Sequence, residues 1–276
     1  RGSQVTSRPF DGVAMRLCYC SDLHLEAQEF RGDVAGGDVL VIAGDLCHAR
    51  TLEADPDDGY ATAQRERVLR FMDMIRPRFA RVILVPGNHD HYDGVIDDTA
   101  DIFRRRLDVT VLDGEAVELD GGVSLFGATL WSDFEGRDEA AMKRAGKGCG
   151  EFFFVKRRDC DDLVRFRPSN ALAAHDRAMS LLRAFLDRPG RTIVVSHHAP
   201  SRKGLNPLFS GNGLDGAYAS DLDGMIEAVG PSLWIHGHTH VRRSYRIGTT
   251  DISANCLGFY EKDPHATHFA VASVDI

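Results

Sequence analysis

No segment of this 276-residue chain reads as a membrane span or an export signal. No run approaches the roughly 20 apolar residues that a bilayer crossing needs, and no N-terminal stretch has the charged-then-apolar layout of a secretory signal. Cysteine is sparse: Cys18, Cys20, Cys47, Cys149, Cys160 and Cys256 form no Cys-x-x-Cys pair and no zinc-ribbon spacing. Cys18 and Cys20 fall on one strand face at period 2, a pattern of buried thiols, so the expected setting is reducing and cytoplasmic. Positive charge is in deficit, with 33 Lys and Arg against 41 Asp and Glu and a net charge of −8. The field of the whole molecule will therefore not draw it onto nucleic acid or an anionic membrane. There are no internal repeats and no low-complexity tracts. What is present is a globular composition, 43% hydrophobic and 27% charged, in a chain long enough for one large core.

Residues 1–14 lack periodicity and read as a cloning-derived or disordered leader, with a single domain expected over 15–276. From Met15 the pattern alternates. Runs rich in Val, Ile and Leu at 16–20, 38–43, 81–85, 122–130, 191–196 and 232–236 predict strands, most of them ending in Gly, Asp, Asn or His. Helices are predicted over 60–76, with Val68, Phe71, Met72 and Ile75 on one face, and over 170–186, with Pro168-Ser169 as the cap. Strands at 244–247, 250–254 and 268–274 close an α/β layout. Residues 132–168 are expected to form an irregular insert, either a lid or a poorly ordered connection.

Five short blocks follow apolar runs: Asp22-Leu23-His24, Gly44-Asp45, Gly87-Asn88-His89-Asp90, His197-His198 and Gly237-His238-Thr239-His240. Adjacent strands would bring these loops to a common sheet edge, where α/β proteins bind ligands. A carboxylate at the end of a central strand is the natural bridge between two divalent cations, and Asp45 fits that place. Gly44 allows the backbone to turn beside it. Asp22 and His24 alternate at period 2 and can reach one ion. Asn88 offers a neutral carbonyl oxygen, and His197, His238 and His240 complete a mixed N/O set suited to Mn, Fe or Zn. Two ligand carboxylates against two divalent ions leave a positive surplus that favours a phosphate ester and lowers the pKa of bound water.

In order and spacing these blocks resemble the calcineurin-like metallophosphoesterase superfamily, over essentially Met15 to the end. Ser21-Asp22-Leu23-His24-Leu25-Glu26, Gly127 to Phe134 and Leu233-Trp234-Ile235-His236-Gly237-His238-Thr239-His240 look like a bacterial branch of it. The resemblance implies a four-layer α/β/β/α sandwich of two mixed β-sheets flanked by helices. It also implies one cation on Asp22, His24, Asp45 and His240, and another on Asp45, Asn88, His197 and His238. His89 would protonate the leaving oxygen, with Asp90 orienting it. The expected function is hydrolysis of a small phosphorylated substrate, phosphodiesters favoured over monoesters. A non-catalytic scaffold of the same fold and a nuclease are the alternatives.

Other signals carry bland readings. His198 is the alternative to His197 if the strand end slips by one residue. His236 reads as a hydrogen-bonded residue still inside its strand, and His175 as a satisfied histidine on the apolar stripe of its helix. His91 and Tyr92 are either substrate contacts or packing. Gly211-x-Gly213-x-x-Gly216 lacks a flanking βαβ unit, so it reads as a loop bordering the pocket and not as a dinucleotide site. Arg104-Arg105-Arg106 and Lys156-Arg157-Arg158 read as solvated faces, the second with an outside prospect of gripping substrate phosphate.

Overall fold

Strands that are apolar on both faces must be covered on both sides, and this requirement sets the layering. The computed structural model describes residues 15–208 and 210–276; the expected leader lies outside the described residues. In the first sheet β1 (Arg16–Cys20), β2 (Gly37–Ala43), β3 (Phe79–Val85) and β4 (Thr110–Val111) run parallel. The second sheet starts with β5 (Glu115–Leu119) and β6 (Val123–Ala128), an antiparallel pair. A separate hairpin, β7 (Lys156–Asp159) and β8 (Asp162–Arg165), interrupts the order. The second sheet continues with β9 (Arg191–Ser196), β10 (Leu233–His236), β11 (Arg242–Ile247) and β12 (Thr250–Asn255), ordered β11-β12-β10-β9-β6-β5. The last strand, β13 (Ala272–Asp275), returns to the first sheet, antiparallel to β1.

The two sheets face each other across Leu17, Val41, Ile83, Leu125, Ile193 and Ile235, all buried. On the outer face of the first sheet lie α1 (Gly59–Ile75) and α2 (Ile96–Leu107), packing Phe71, Met72 and Phe103 on Cys18, Leu40 and Leu84. Next come an irregular turn, α3 (Phe134–Arg137), then α4 (Glu139–Gly148) and α5 (Glu151–Phe154). The outer face of the second sheet is covered by α6 (Pro168–Leu186), followed by α7 (Asp215–Tyr218) near the pocket and then α8 (Asp223–Val229). Here Leu182, Phe185 and Ile226 meet Trp234. The architecture is thus two mixed sheets flanked by helices, the fold that the motifs implied.

Differences from the sequence reading have local causes. The N-cap of α6 is Arg167: Pro168 takes the first helical turn, where its missing N–H costs nothing, and the Asn170 side chain accepts from the Arg167 N–H at 2.9 Å. The final strand begins at Ala272, because 266–268 form a 3₁₀ turn. The segment 132–168, read as irregular, holds α3, α4, α5 and the β7–β8 hairpin. They share a cluster in which Trp131, Phe134, Phe152 and Phe166 are buried. Its helix α4 is capped by Asp138, whose carboxylate accepts from the Ala140 and Ala141 N–H groups. Glycine-rich, charged sequence hid this order, since the apolar residues lack helical spacing.

Leu125 is fully buried between the sheets. Leu125→Ala should cost about 2–5 kcal/mol of stability, seen as a lower urea midpoint at unchanged slope; an unchanged midpoint would place the residue outside the core.

Candidate metal centre

The carboxyl ends of β1, β2 and β3 meet those of β9 and β10 where the sheets adjoin, tied by a bridge between Ser21 and Cys256. Chain reversal there is abrupt. Asp22, His24, Asp45, His238 and His240 all adopt left-handed backbone, with φ between 46° and 67°, a conformation that costs non-glycine residues of order 1–3 kcal/mol each. Two glycines make room. A methyl group on Gly44 would collide with the His197 ring, and one on Gly87 with the Asp45 carboxylate.

Besides His24 with Glu26 and His89, two groups of ligand atoms result, Asp22, His24 and His240 in one and Asp45, His197 and His238 in the other, with the atoms of each lying within 4.8 Å of one another. They adjoin through Asp45: its Oδ2 is 3.9 Å from His24 Nε2 and 3.3 Å from His197 Nε2. Asn88 joins the second group, its Oδ1 being 3.0 Å from His197 Nε2. Its amide nitrogen donates to Glu151 at 3.3 Å, which fixes the oxygen towards the cluster. The structure therefore gathers all seven residues expected as ligands. His198 is turned away, with Nδ1 on the Thr129 carbonyl. His236 lies behind the cluster, against the Gly237 carbonyl, and His175 contacts the Leu130 carbonyl. His91 faces Thr99 and Trp131, also away from the cluster.

The hydrogen-bond directions decide what the cluster is for. Nδ1 of His24 is 2.8 Å from Glu26, Nδ1 of His240 is 3.0 Å from Asp263, and Nδ1 of His197 is 2.8 Å from the Ala43 carbonyl. All three partners are acceptors, so Nδ1 carries the proton in each ring and a neutral ring presents a bare lone pair at Nε2. Yet His24 Nε2 and His240 Nε2 stand 3.0 Å apart. His197 Nε2 likewise faces two oxygens, from Asn88 and Asp45. Such acceptor-to-acceptor contacts repel unless a proton or a cation lies among them. At His197 burial disfavours the charged ring, but the Asp45 carboxylate outweighs it and raises the pKa to about 9, which favours positive charge at that place. The donor set fits divalent cations, with the Nδ1 partners fixing ring orientation.

The partnership expected between His89 and Asp90 is not what the structure shows. Asp90 is buried, and each of its oxygens accepts two backbone N–H groups: Oδ1 from Leu46 and Cys47, and Oδ2 from Asp45 and Gly87, at 2.7–2.9 Å. Four donors and no acceptor suit the ionised form, although burial and the Asp45 charge push its pKa up to about 8. Its carboxylate pins the β2 loop to the β3 loop, leaving no oxygen for His89. The acid beside His89 is Glu26, whose Oε1 lies 3.3 Å from His89 Nδ1. Burial disfavours the charged imidazole, but Asp45 and Glu26 outweigh it and hold the His89 pKa up, to about 9. Tyr92 stacks on the ring at 4.2 Å.

Glu26, Asp263 and Glu151 escaped the sequence reading. Glu26 carried a signal, since Asp22, His24 and Glu26 continue one period-2 series. Asp263 and Glu151 sit in a loop and a short helix without any pattern. A cavity of about 360 Å³ opens over Asp45, Asn88, His89, His238 and His240, and the loop carrying Asn212 and Asp215 forms part of its wall. Neither arginine cluster lines it. The triplet at 104–106 pairs with Asp101, Glu115 and Glu53, while Arg158 pairs with Asp98.

The model of the calcineurin-like phosphoesterases matches residues 15–242. An uncharacterised protein of Acanthamoeba polyphaga mimivirus is 23% identical over 285 residues, spanning 94% of this chain and 96% of that one. The phosphopantetheinyl hydrolase of Mycobacterium tuberculosis superposes with a TM-score of 0.61 at 17% identity, covering 95% of this chain and 96% of the other. A dimetal phosphatase of Danio rerio superposes at 0.50 and 12% identity, over 95% and 93%. At these identities the two superpositions speak for the fold.

Asp90→Asn would turn an amide group onto N–H donors, so it should lower stability by about 1.5–3 kcal/mol, read from the denaturation midpoint. A variant of wild-type stability with reduced turnover would instead return Asp90 to the role of orienting His89.

Proposed function

The chain belongs to the calcineurin-like phosphoesterases, and from that premise we propose that it hydrolyses small phosphate esters with two divalent cations held by the residues just described. One cation would lie among Asp22, His24, Asp45 and His240, and the other among Asp45, Asn88, His197 and His238, Asp45 serving both. The observation that carries this reading is the pair of Nε2 atoms, on His24 and His240, facing each other at 3.0 Å while both Nδ1 atoms meet carboxylates. A mixed imidazole and carboxylate set favours Mn, with Fe or Zn as the other fits. When bound, the cations supply Lewis-acid activation of water and of the phosphoryl oxygen.

The protein's own contribution is placement and proton supply. Glu26 holds His89 at Nδ1, so Nε2 is the nitrogen free to face a leaving oxygen at the cavity floor. A ring with a raised pKa is protonated at neutral pH and can donate. Asp45 shares its charge with cations when they bind, and Glu26 then keeps the proton on. Among esters we slightly favour diesters: an alkoxide leaving group, poorer than those of typical test substrates, gains from an acid such as His89. A nuclease role fits poorly, because neither arginine cluster reaches the cavity and net charge is negative. No helix among the described residues is long and apolar enough to cross a membrane. The six free cysteines, five of them buried, suit a reducing, cytoplasmic setting.

Hydrolysis of a panel of mono-, di- and cyclic phosphates with added Mn, compared with chelated protein, tests the reading. His89→Ala should retain metal and lose about 10²-fold or more in turnover. Glu26→Gln should lose more on alkyl than on 4-nitrophenyl leaving groups. A uniform loss across leaving groups would limit Glu26 to holding His24. Asp45→Ala should lose both ions, and full occupancy by elemental analysis would show that Asp45 is not shared.

A further inference from the structure

Resting on that hydrolase reading, we infer that the substrate carries a single anionic group, the reacting phosphoryl, and that its remaining arm is uncharged and hydrogen-bonding. The cavity that must hold this arm has no lysine or arginine in its lining among the described residues, in a chain with 33 of them. Sites that take a second phosphate or a carboxylate use guanidinium or ammonium groups to replace lost hydration. Here the wall beyond the floor offers aromatic faces from Tyr92, Tyr218 and Phe259. Neutral donors and acceptors come from Asn206, Ser210 and Asn212.

The charged groups on that wall have the wrong sign for an anionic arm. Asp215 is held in place by the Gly211 N–H, 3.0 Å from Oδ2 and 3.1 Å from Oδ1. Glu151 is buried, with Oε2 on Asn88 and on the Tyr92 hydroxyl at 3.2 Å. Of the basic side chains around this wall, Arg144 meets the Gly213 carbonyl at 2.7 Å, Arg202 meets Glu135 at 2.9 Å, and Lys262 lies over the Phe259 ring, 4.9 Å from its centroid, without lining the cavity. The rings are locked too, Tyr218 stacking on His238 at 4.5 Å and Tyr92 on His89. A volume of about 360 Å³ is at the small-molecule end of binding cavities. Polyphosphates, bisphosphates and phosphorylated acids would place their second charge among carboxyl groups.

The test compares isosteric partners on the Mn-loaded protein. Carbamoylmethyl and carboxymethyl 4-nitrophenyl phosphate form the diester pair; glycerol 3-phosphate and 3-phosphoglycerate form the monoester pair. The uncharged member should win by about tenfold or more in kcat/KM, in whichever ester class turns over. Calorimetric affinities on Mn-loaded His89→Ala should show the same order. Asn212→Lys should shrink the gap several-fold by lending the wall a cation. Equal or better handling of the charged member by the wild type overturns the inference. If no ester is turned over, the hydrolase reading falls, and the affinity ratio still decides the question of charge.

Discussion

The arrangement of this centre depends on one electrostatic constraint: lone pairs aimed at one another inside a buried pocket. An imidazole whose Nδ1–H is committed to a carboxylate has only an acceptor left, and two such rings at 3.0 Å repel. The oxygens of Asp22 and Asp45 beside the pair, at 3.5 and 3.9 Å, are acceptors too and do not relieve this. Protonating one ring would turn the contact into an N–H···N hydrogen bond, but that one proton would serve only two of the gathered acceptors. A small multivalent cation satisfies every acceptor at once. That is why the donor set reads as a metal centre rather than a hydrogen-bonded polar cluster.

Holding acceptors in this state requires a framework that does not yield. Five of the converging residues have left-handed backbone, and the turns are packed too tightly for a side chain at Gly44 or Gly87. The strain is local, while the layers that offset it are extensive: a buried apolar seam between the sheets and a helical cover on each outer face. Asp90 adds a specific lock. By accepting N–H groups from two loops it fixes Asp45 relative to Asn88, so the residues proposed to share a cation cannot drift apart. Acceptor repulsion and backbone strain thus coincide at a place where a ligand could offset both.

Most of the fold was legible because strand ends and ligand blocks coincide. Gly37 opens β2 one residue before the predicted run at 38–43, and the unbroken apolar stretch from Val39 to Ala43 marks the strand as buried by composition alone. The helix α1 was legible through Val68, Phe71, Met72 and Ile75, all buried. What stayed hidden was structure whose apolar residues come from distant segments. The insert cluster joins Trp131, Phe152 and Phe166 to Ala217, a contact set with no local period. The same holds for the centre. Each ligand block ends a strand and announces itself, whereas Asp263 reaches His240 from a loop, and only the folded chain brings them together.

Glu26 and Asp90 show why adjacency in sequence misleads about partnership in chemistry. Asp90 is the neighbour of His89 along the chain, yet its carboxylate is fully used by backbone donors. Glu26 stands far away in sequence, in the turn that follows Asp22 and His24 beyond β1. Its Oε1 is then within reach of two rings, His24 at 2.8 Å and His89 at 3.3 Å. One oxygen thereby sets the position of a proposed cation ligand and of the proposed proton donor together. A displacement of either ring would be transmitted to the other through that atom, so the proposed cation ligand and the proposed acid would keep a common frame.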